Sequence, residues 1–464
     1  MASGPVYSMN DTLPRFVRLG AALAVVAALL AFVVRSSSAQ QAPPRRLTLG
    51  DAARLAGAQT IGVQSAEYRV EEARARVNES KSAFYPQIDL SPNWTSRTLN
   101  SATFGFNLPT APGQRPILDP NGQVLGPVRI WDFRGNLYQS IYDPSVRQQV
   151  RASRSGVSAA SADVATAAEQ SATNAASIYL RAIRSDAALQ ARIADSTLAF
   201  DLLRIARDQL TAGVGVALDV TRAESQLATS RAQLISARND RDRARLDLLR
   251  ALNLSLDAPI SLSDSLVTMP LPAPENEQAA VELALRERPD IRAATAQLDL
   301  AQQQLSVIRA GRLPKVSAFG NDGYDGFINH LLNTYTYGVQ LSWSVYDGRR
   351  RSAQEQEQEA AARDIEARRR DLQQQVAVDV RGAILDMASA REQVDAARER
   401  QRLAEQEVEQ ARDRFRAGVA GNADVITASL TLNNARTSLV DALTSFQSAR
   451  VSLARAEGTV RQLR

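Results

Sequence analysis

Side chains that perform catalysis or hold metals are scarce in this chain of 464 residues. It has no cysteine and a single histidine, His330. The chain therefore lacks the cysteines needed for a disulfide, a thiolate metal site or a catalytic thiol, and it has a single histidine for a histidine-based triad. No phosphate-binding loop, nucleophile–base set or cluster of metal ligands occurs in the sequence. We therefore predict that the chain is not an enzyme and has no catalytic residue, no cofactor and no metal.

Two aspartates stand out by their spacing. Asp219 and Asp424 each follow a glycine, Gly213 and Gly418, by six residues, and a valine comes directly after each aspartate. Glycine tolerates positive φ and ends helices, and an aspartate soon after such a break stabilises the start of the next helix. Helix capping is thus the plain interpretation of both carboxylates.

The charge of the chain does not indicate nucleic acid. Its formal charge of +5 arises from 55 basic and 50 acidic residues that alternate along the sequence. Only Lys81 and Lys315 are lysines, and the remaining basic residues are arginines. Such interleaving is typical of solvated helix faces, so no nucleic-acid partner is predicted.

The first 39 residues have the pattern of a secretory signal peptide. Arg15 and Arg18 precede an apolar run over 19–34, and the small residues Ser37-Ser38-Ala39 follow it. The alternative is an uncleaved membrane anchor, but the run is shorter than the ~20 residues that span a bilayer. We predict cleavage before Gln40 and export from the cytoplasm.

The rest of the chain contains one plan twice. Val63 and Pro86 lie 228 residues before Ile291 and Pro314, and later matches have a smaller offset because the first half carries an insert near 100–127. Four ordered matches indicate an internal duplication. The later matching segments are 140–143 with 344–347, 206–214 with 411–419, and 219–220 with 424–425.

Each half is predicted to hold a long helical hairpin. No proline occurs over 145–258 or from 315 to the end, and both stretches are rich in good helix formers. Glycines interrupt each stretch once, so we place the hairpin tips at about 211–218 and 416–423. An arm over 144–212 would reach ~100 Å at ~1.5 Å per residue. Small or apolar residues recur at heptad-like spacing, as in a coiled-coil seam: Ala168, Ala175, Ala182, Leu189, Ser196, Leu203 and Leu210, then Val376, Val380, Ala383, Met387 and Val394.

Between the helices the apolar period changes to two, which predicts strand pairs at about 86–101 with 128–142 and 315–324 with 334–346. One face of each strand is apolar and aromatic, as in a transmembrane barrel wall, whereas the alternative is a soluble sheet packed on a core. Polar loops around 102–127 and 321–333 would face the exterior. The predicted membrane-facing residues are Trp131, Phe133, Leu137, Ile141, Tyr335, Tyr337, Val339, Leu341, Trp343 and Val345.

Four strands cannot close a barrel, because small barrels need about eight. Unpaired edges in lipid cost several kcal/mol per group, so copies of the chain must associate. Two copies would give eight strands and a filled interior, and three would give twelve strands with a lumen.

The predicted fold class is thus mainly α with a small β part: duplicated long helical hairpins and four strands per protomer. The predicted division is a signal peptide over 1–39, a first repeat over 40–252, an inter-repeat segment over 253–285 and a second repeat over 286–464.

These features together resemble the TolC/OprM-type outer-membrane factor family. The motif Gly-x-x-x-x-x-Asp-Val occurs at 213–220 and 418–425, Glu287-Arg-Pro-Asp-Ile291 opens the second half, and Tyr-Asp pairs close two strands. The resemblance covers 47–460. It implies a homotrimer with a 12-stranded transmembrane β-barrel, a periplasmic α-barrel and a mixed equatorial domain around 253–290 and the C-terminal end. It also implies docking to a periplasmic adaptor protein fed by an inner-membrane RND, ABC or MFS transporter.

The resemblance assigns adaptor docking to the hairpin tips. The first tip, Val214-Gly215-Val216-Ala217 after Gly213, is similar to the family's tip motif. The second, Gly418 with Val419-Ala420-Gly421-Asn422, departs from it. Without the resemblance, both are ordinary glycine-containing turns.

The resemblance also places Asp424 at a periplasmic pore constriction, with Asp219 nearby. Three carboxylates around an axis would repel one another, attract cations and hinder anions. Some relatives carry a second acid where this chain has Thr427, and a basic residue where it has Ala420. A charge-locked gate is therefore not expected.

The expected function is that of an outer-membrane channel, extended into the periplasm, in a tripartite export system for small molecules. A type I protein secretion duct is the alternative. A periplasmic adaptor would have one hairpin flanked by compact β domains, and a coiled-coil scaffold would leave the aromatic strands unexplained.

Overall fold

The computed structural model describes residues 45–104, 122–267, 269–270, 276–419 and 421–463. The predicted signal peptide and Ala420 lie outside these ranges. The described residues divide into two units, one with residues 45–46 and 257–261, and one with the described residues of 47–256 and 262–463. Within the first unit the Arg45 amide donates a 2.9 Å hydrogen bond to the Pro259 carbonyl, and the short strands β1 (Arg45–Leu47) and β4 (Ile260–Leu262) start there.

The larger unit contains the duplicated plan. Its first copy runs α1 (Leu49–Gln59), α2 (Ile61–Ser82), β2 (Gln87–Asn100), β3 (Val124–Tyr142), α3 (Pro144–Thr211) and α4 (Ala217–Ala251). The second runs α5 (Glu277–Glu287), α6 (Pro289–Ala310), β5 (Lys315–Phe327), β6 (His330–Ser342), α7 (Arg350–Arg416) and α8 (Asn422–Glu457). The predicted duplication of long hairpins and strand pairs is confirmed.

The two longest helices follow from their proline-free sequences. α3 has 68 residues and α7 has 67, so each is about 100 Å long. Asp143 caps α3 by accepting hydrogen bonds from the Ser145 and Val146 amides, and Pro144 occupies the first turn, where its missing N–H is no loss. Desolvation opposes the charge of this largely covered carboxylate, but the Lys315 ammonium 2.8 Å away and the hydrogen bond from Ser145 hold the pKa of Asp143 below its usual value.

The predicted helical seams are largely buried. α3 packs against α4, α6 and α8, and α7 packs against α8. Leu210 is an exception at 39% exposed, because it lies in the last turn before the hairpin tip. The buried seam residues are Ala168, Ala175, Ala182, Leu189 and Leu203 in α3, and Val376, Val380, Ala383, Met387 and Val394 in α7.

The four long strands form one antiparallel sheet in the order β2-β3-β5-β6. Its two outer strands, β2 and β6, each pair along one edge only among the described residues. The Trp94–Trp131 and Leu137–Gly320 pairs are two points of the strand register, which shifts between Arg97 and Leu99 in β2 and between Ser140 and Tyr142 in β3. The sheet therefore ends in two open edges.

The second strand pair is joined by a shorter turn than the sequence predicts. β5 continues to Phe327 and β6 starts at His330, so the predicted polar loop over 321–333 is wrong. Asn, Asp and Gly residues there have low strand propensity, but pairing with β3 and β6 outweighs it. A two-residue turn, Ile328-Asn329, replaces the loop.

The strand assignment of Trp343 and Val345 is also wrong, because β6 ends at Ser342. Ser342 pairs with Lys315, the first residue of β5, so the residues beyond it have no strand to pair with. The Trp343 indole N–H instead donates a 3.1 Å hydrogen bond to the Arg312 carbonyl.

Candidate functional site

The first hairpin tip presents apolar side chains on a tight glycine turn. Gly213 has φ +79°, and the amides of Val214 and Gly215 both donate to the Gln209 carbonyl, which closes the end of α3. A Cβ on Gly215 would lie 2.9 Å from the Leu210 nitrogen, so only glycine fits there. Val214 is 79% exposed, and Val216, Ala217 and Leu218 are exposed as well.

The second tip repeats this turn with a shorter apolar surface. Gly418 has φ +71°, and the Val419 amide donates a 3.0 Å hydrogen bond to the Arg414 carbonyl. Val419 is 69% exposed, and Gly421 caps α8 with its main chain. The predicted docking residue Ala420 lies outside the described residues.

The two tips of one chain are joined. The Asn422 side-chain amide donates 2.9 Å to the Asp219 carbonyl, and that of Gln209 donates 2.7 Å to the Phe415 carbonyl. A shared apolar core from both hairpins lies directly behind these bonds. Its members are Ala199, Leu202, Leu203, Ala206, Ala223, Leu227, Phe415 and Val425. Sequence reasoning missed this junction.

Asp424 and Asp219 occupy equivalent positions but differ in exposure. Each lies in the first turn of its helix, where its charge favours the helix dipole. Asp424 is exposed, and no partner contacts its carboxylate among the residues that the structure describes. Asp219 is partly covered, and its carboxylate lies 3.8 Å from the Arg222 guanidinium. Thr427, one turn beyond Asp424, is exposed too, and its hydroxyl donates to the Ala423 carbonyl.

A buried carboxylate links the long helices of the two halves behind the tips. Asp195 on α3 is 1% exposed, and its oxygens lie 3.2 Å from Arg192 and 3.0 Å from Arg436 on α8. Burial raises the pKa of Asp195, against the lowering effect of the two guanidinium groups. Arg184 and Asp441 form a second α3–α8 ion pair at 2.8 Å, but both side chains are half exposed.

A further buried group secures the inter-repeat segment near the middle of α3. The Tyr179 hydroxyl donates to the Leu47 carbonyl at 2.7 Å and to the Asp264 carboxylate at 3.0 Å. The same carboxylate accepts a 2.7 Å hydrogen bond from the Leu49 amide. Burial raises the pKa of Tyr179, so the hydroxyl remains a donor.

The sheet has one aromatic face and one polar face. Directly opposed residues share a face, so the register groups most of the apolar residues of the four strands on one face, whereas Tyr138, Phe319 and Leu332 lie on the mainly polar face. The Trp131 and Phe133 rings stack at 5.9 Å, and the Tyr335 and Tyr337 rings at 6.2 Å. Exposed side chains on this face include Ile88, Leu90, Trp94, Phe133, Leu137, Tyr335, Tyr337, Val339 and Leu341, and Ile141 lies exposed beside a register shift at its end.

Groups of three or more possible metal ligands are absent from the described ranges. Within the same ranges, no helix has both the length and the apolarity needed to cross a bilayer.

Comparison with known proteins places these features in context. The family model described as "Outer membrane efflux protein" matches residues 54–254 and 280–459, which is most of the chain. The solved outer-membrane channel OprN is 19% identical, with a TM-score of 0.70 over 89% of this chain and 91% of that one. The Campylobacter jejuni outer membrane channel CmeC is 18% identical, with a TM-score of 0.69 over 89% and 85%.

A curated relative matches over a shorter stretch. The alkaline protease secretion protein AprF of Pseudomonas aeruginosa is 26% identical over 151 residues, which is 30% of each chain. The match thus spans less than a third of that relative.

Proposed function

The chain belongs to the outer membrane efflux protein family, and we propose that three copies of it form a channel across the outer membrane of a tripartite export system. Each copy contributes one four-stranded sheet to a 12-stranded barrel and its two hairpins to a periplasmic tube. The predicted signal peptide over 1–39 directs the chain out of the cytoplasm, and the barrel lies in outer-membrane lipid.

The observation that carries this proposal is the sheet with an exposed aromatic face and two open edges. Tyr335 and Tyr337 are exposed on the apolar face, which is unfavourable in water and favourable in lipid. Open edges suit lipid only when another copy covers them, because unpaired main-chain groups cost several kcal/mol each there. When β6 of one copy pairs with β2 of the next, the edges are covered and the apolar face can lie in lipid.

The helices extend the same cylinder. α3 and α7 are each about 100 Å long, far longer than a compact domain accommodates. Three chains supply twelve helical arms, counting α3, α4, α7 and α8 of each, and these arms enclose the periplasmic part of the duct. The proposed equatorial belt consists of residues around 253–290 and the C-terminal end, and the hydrogen bond from Tyr179 to Asp264 joins its inter-repeat part to α3.

The tips are the proposed docking surface for a periplasmic adaptor, which an inner-membrane RND, ABC or MFS transporter supplies with substrate. Val214 and Val419 are among the most exposed apolar residues of the helical part, and glycines beside them allow close backbone approach. A ring of three Asp424 carboxylates with Thr427 behind it forms the constriction at the same end, and Asp219 lies beside it.

Efflux of small molecules is the function we propose, following the family's own description. A duct for type I protein secretion is the second candidate, and the similarity to AprF favours it. Deleting the gene separates the two. Raised sensitivity to toxic compounds supports efflux, whereas loss of a protein from the culture medium supports secretion.

The channel itself is tested by fractionation and conductance. The protein should fractionate with the outer membrane, migrate as a heat-modifiable trimer in detergent and conduct ions in a planar bilayer. A water-soluble monomer that needs no detergent would overturn the proposal, since an adaptor or a scaffold would behave in that way.

A further inference from the structure

An arginine between two aspartates interrupts the otherwise uncharged middle of the polar sheet face. The Arg134 Nε donates a 3.0 Å hydrogen bond to Asp132, and its Nη2 lies 3.9 Å from the Asp325 carboxylate. All three side chains are between 26% and 42% exposed. We call Asp132, Arg134 and Asp325 the wall cluster.

The strand register forces these charges together. Asp132 on β3 pairs directly with Asp325 on β5, which places two like charges opposite each other. Such a pair destabilises a sheet unless a cation lies beside it. Arg134, paired with Gly323, is that cation, and a Cβ on Gly323 would collide with the main-chain carbonyl oxygen of Phe133. The close approach of the two strands at Gly323 thus fixes the position of the cluster.

The cluster lies on the face opposite the stacked rings of Trp131 with Phe133 and of Tyr335 with Tyr337. Arg134 alternates with Phe133 and Gly135 along β3, and its partner Ser91 on β2 belongs to the polar face. Asp322, by contrast, pairs with Gly135 and Tyr335, so it lies on the aromatic face. Two neighbouring aspartates of β5, Asp322 and Asp325, therefore point to opposite sides of one sheet.

The wall cluster has one excess negative charge, because it contains two carboxylates and only one guanidinium. The other charged residues on the polar face of β2, Asp89 and Arg97, lie near opposite ends of the strand and offset each other. An ion that passes along this face would meet an excess of one carboxylate per chain at the level of the cluster.

We infer that the wall cluster gives the membrane section of the duct its own preference for cations, separate from any effect of Asp424 at the periplasmic end. This inference rests on the proposed function, because the polar face lines a lumen only if the sheet closes with its copies. Three clusters then form a ring with three excess negative charges, the arrangement that favours cations in charged pores. Arg134 limits that preference by neutralising one carboxylate in each copy.

The test is the reversal potential of single channels in a planar bilayer under a KCl gradient. All proteins carry Asp424→Ala, so that a carboxylate at the periplasmic end contributes to none of the readings. Asp132→Asn and Asp325→Asn should each lower the potassium-to-chloride permeability ratio about fivefold, the order expected for three unit charges about 10 Å away in ~0.1 M salt, because the charges attract potassium and repel chloride. Arg134→Gln should raise the ratio by a similar factor.

Asp322→Asn is the matched control, since it removes the same charge from the same strand on the aromatic face. It should leave the ratio unchanged, and heat-modifiable migration confirms that each variant assembles. An unchanged ratio in Asp132→Asn, Asp325→Asn and Arg134→Gln overturns the inference while the channel stands, and so does a shift in Asp322→Asn equal to that in Asp325→Asn. Absence of any conductance in the parent protein overturns the proposed function and the inference with it.

Discussion

The Asn422 side chain, at the start of α8, donates a 2.9 Å hydrogen bond to the main-chain carbonyl of Asp219, in the first turn of α4. Asn422 is fully buried, so water does not compete for this bond. Together with the bond from Gln209 to Phe415, it ties the first hairpin tip to the second. A displacement of one tip must therefore either break these two hydrogen bonds or take the other tip with it. The same holds for any opening of the proposed channel at this end.

Asn422→Ala should loosen the tips. It removes one buried hydrogen bond, worth about 1 kcal/mol, and leaves the Asp219 carbonyl without that donor. We expect higher conductance of the closed channel and faster proteolysis at the tips. Asn434→Ala, at an exposed position of the same helix, is the control and should change neither measurement. Equal behaviour of the two variants would exclude a role for the junction in closure.

Asp424→Ala should raise the conductance of the closed channel, because it removes an exposed carboxylate from each copy at the proposed constriction. Asp219→Ala should have a smaller effect, since that carboxylate is partly covered and lies near Arg222. Single-channel recording in a planar bilayer compares them. Unchanged conductance in Asp424→Ala would remove this residue from the gate and leave helix stabilisation as its role.

Arg436→Ala should be strongly destabilising. It leaves the Asp195 carboxylate buried with one of its two arginines, and breaking a buried ion pair costs about 3–5 kcal/mol. Arg184→Ala breaks the half-exposed pair with Asp441 between the same two helices and should cost less than about 1 kcal/mol. Thermal unfolding followed by circular dichroism measures both, and equal losses would contradict this ranking.

The loss of folding stability caused by Arg436→Ala should also depend on pH. Burial already raises the pKa of Asp195 in the folded chain, and removing Arg436 takes away a group that lowers it. A carboxyl with a raised folded pKa binds its proton more tightly when folded, so folding gains stability as the pH falls toward the unfolded pKa. The difference in unfolding free energy between the parent and the Arg436→Ala variant should therefore become smaller at acid pH. A difference that grows at acid pH would contradict a raised pKa of Asp195 in the folded variant.

The two faces of β6 can be distinguished by adjacent substitutions. Tyr337→Arg places a charge on the aromatic face, where a cation near the middle of a membrane costs about 2–4 kcal/mol. Thr336→Arg places the same charge on the polar face and should be tolerated. The measurement is the heat-modifiable oligomer recovered from outer membranes. A normal yield of Tyr337→Arg with loss of Thr336→Arg would reverse the orientation of the sheet.

Much of the fold can be predicted from the sequence because its signals are local. Proline-free stretches and isolated glycines such as Gly213 and Gly418 delimit the hairpins, and alternation identifies β3 and β6. The end of β6 could not be located in this way, since it depends on where β5 starts to pair, at Lys315. The break at Thr60 between α1 and α2 could not be located either, since no proline lies there and the neighbouring Gly57 and Gly62 both lie inside helices.

The side-chain junctions were hidden for a different reason. Asp195 and Arg436 are 241 residues apart, and Asn422 and Asp219 are 203 apart, so each pair exists only after the halves pack. In the sequence Asp195 is one acid among 50, and its burial depends on α8 crossing it. Asp219 and Asp424 could be found because the duplication marks them twice.

The open edges of β2 and β6 have a consequence for biogenesis. In the proposed assembly, a copy that has not yet joined its neighbours presents main-chain donors and acceptors that can pair with any extended peptide. Closure requires further copies to arrive, so the yield of closed assemblies should rise steeply with the concentration of the chain. At low supply, degradation and aggregation compete with assembly for the same chains.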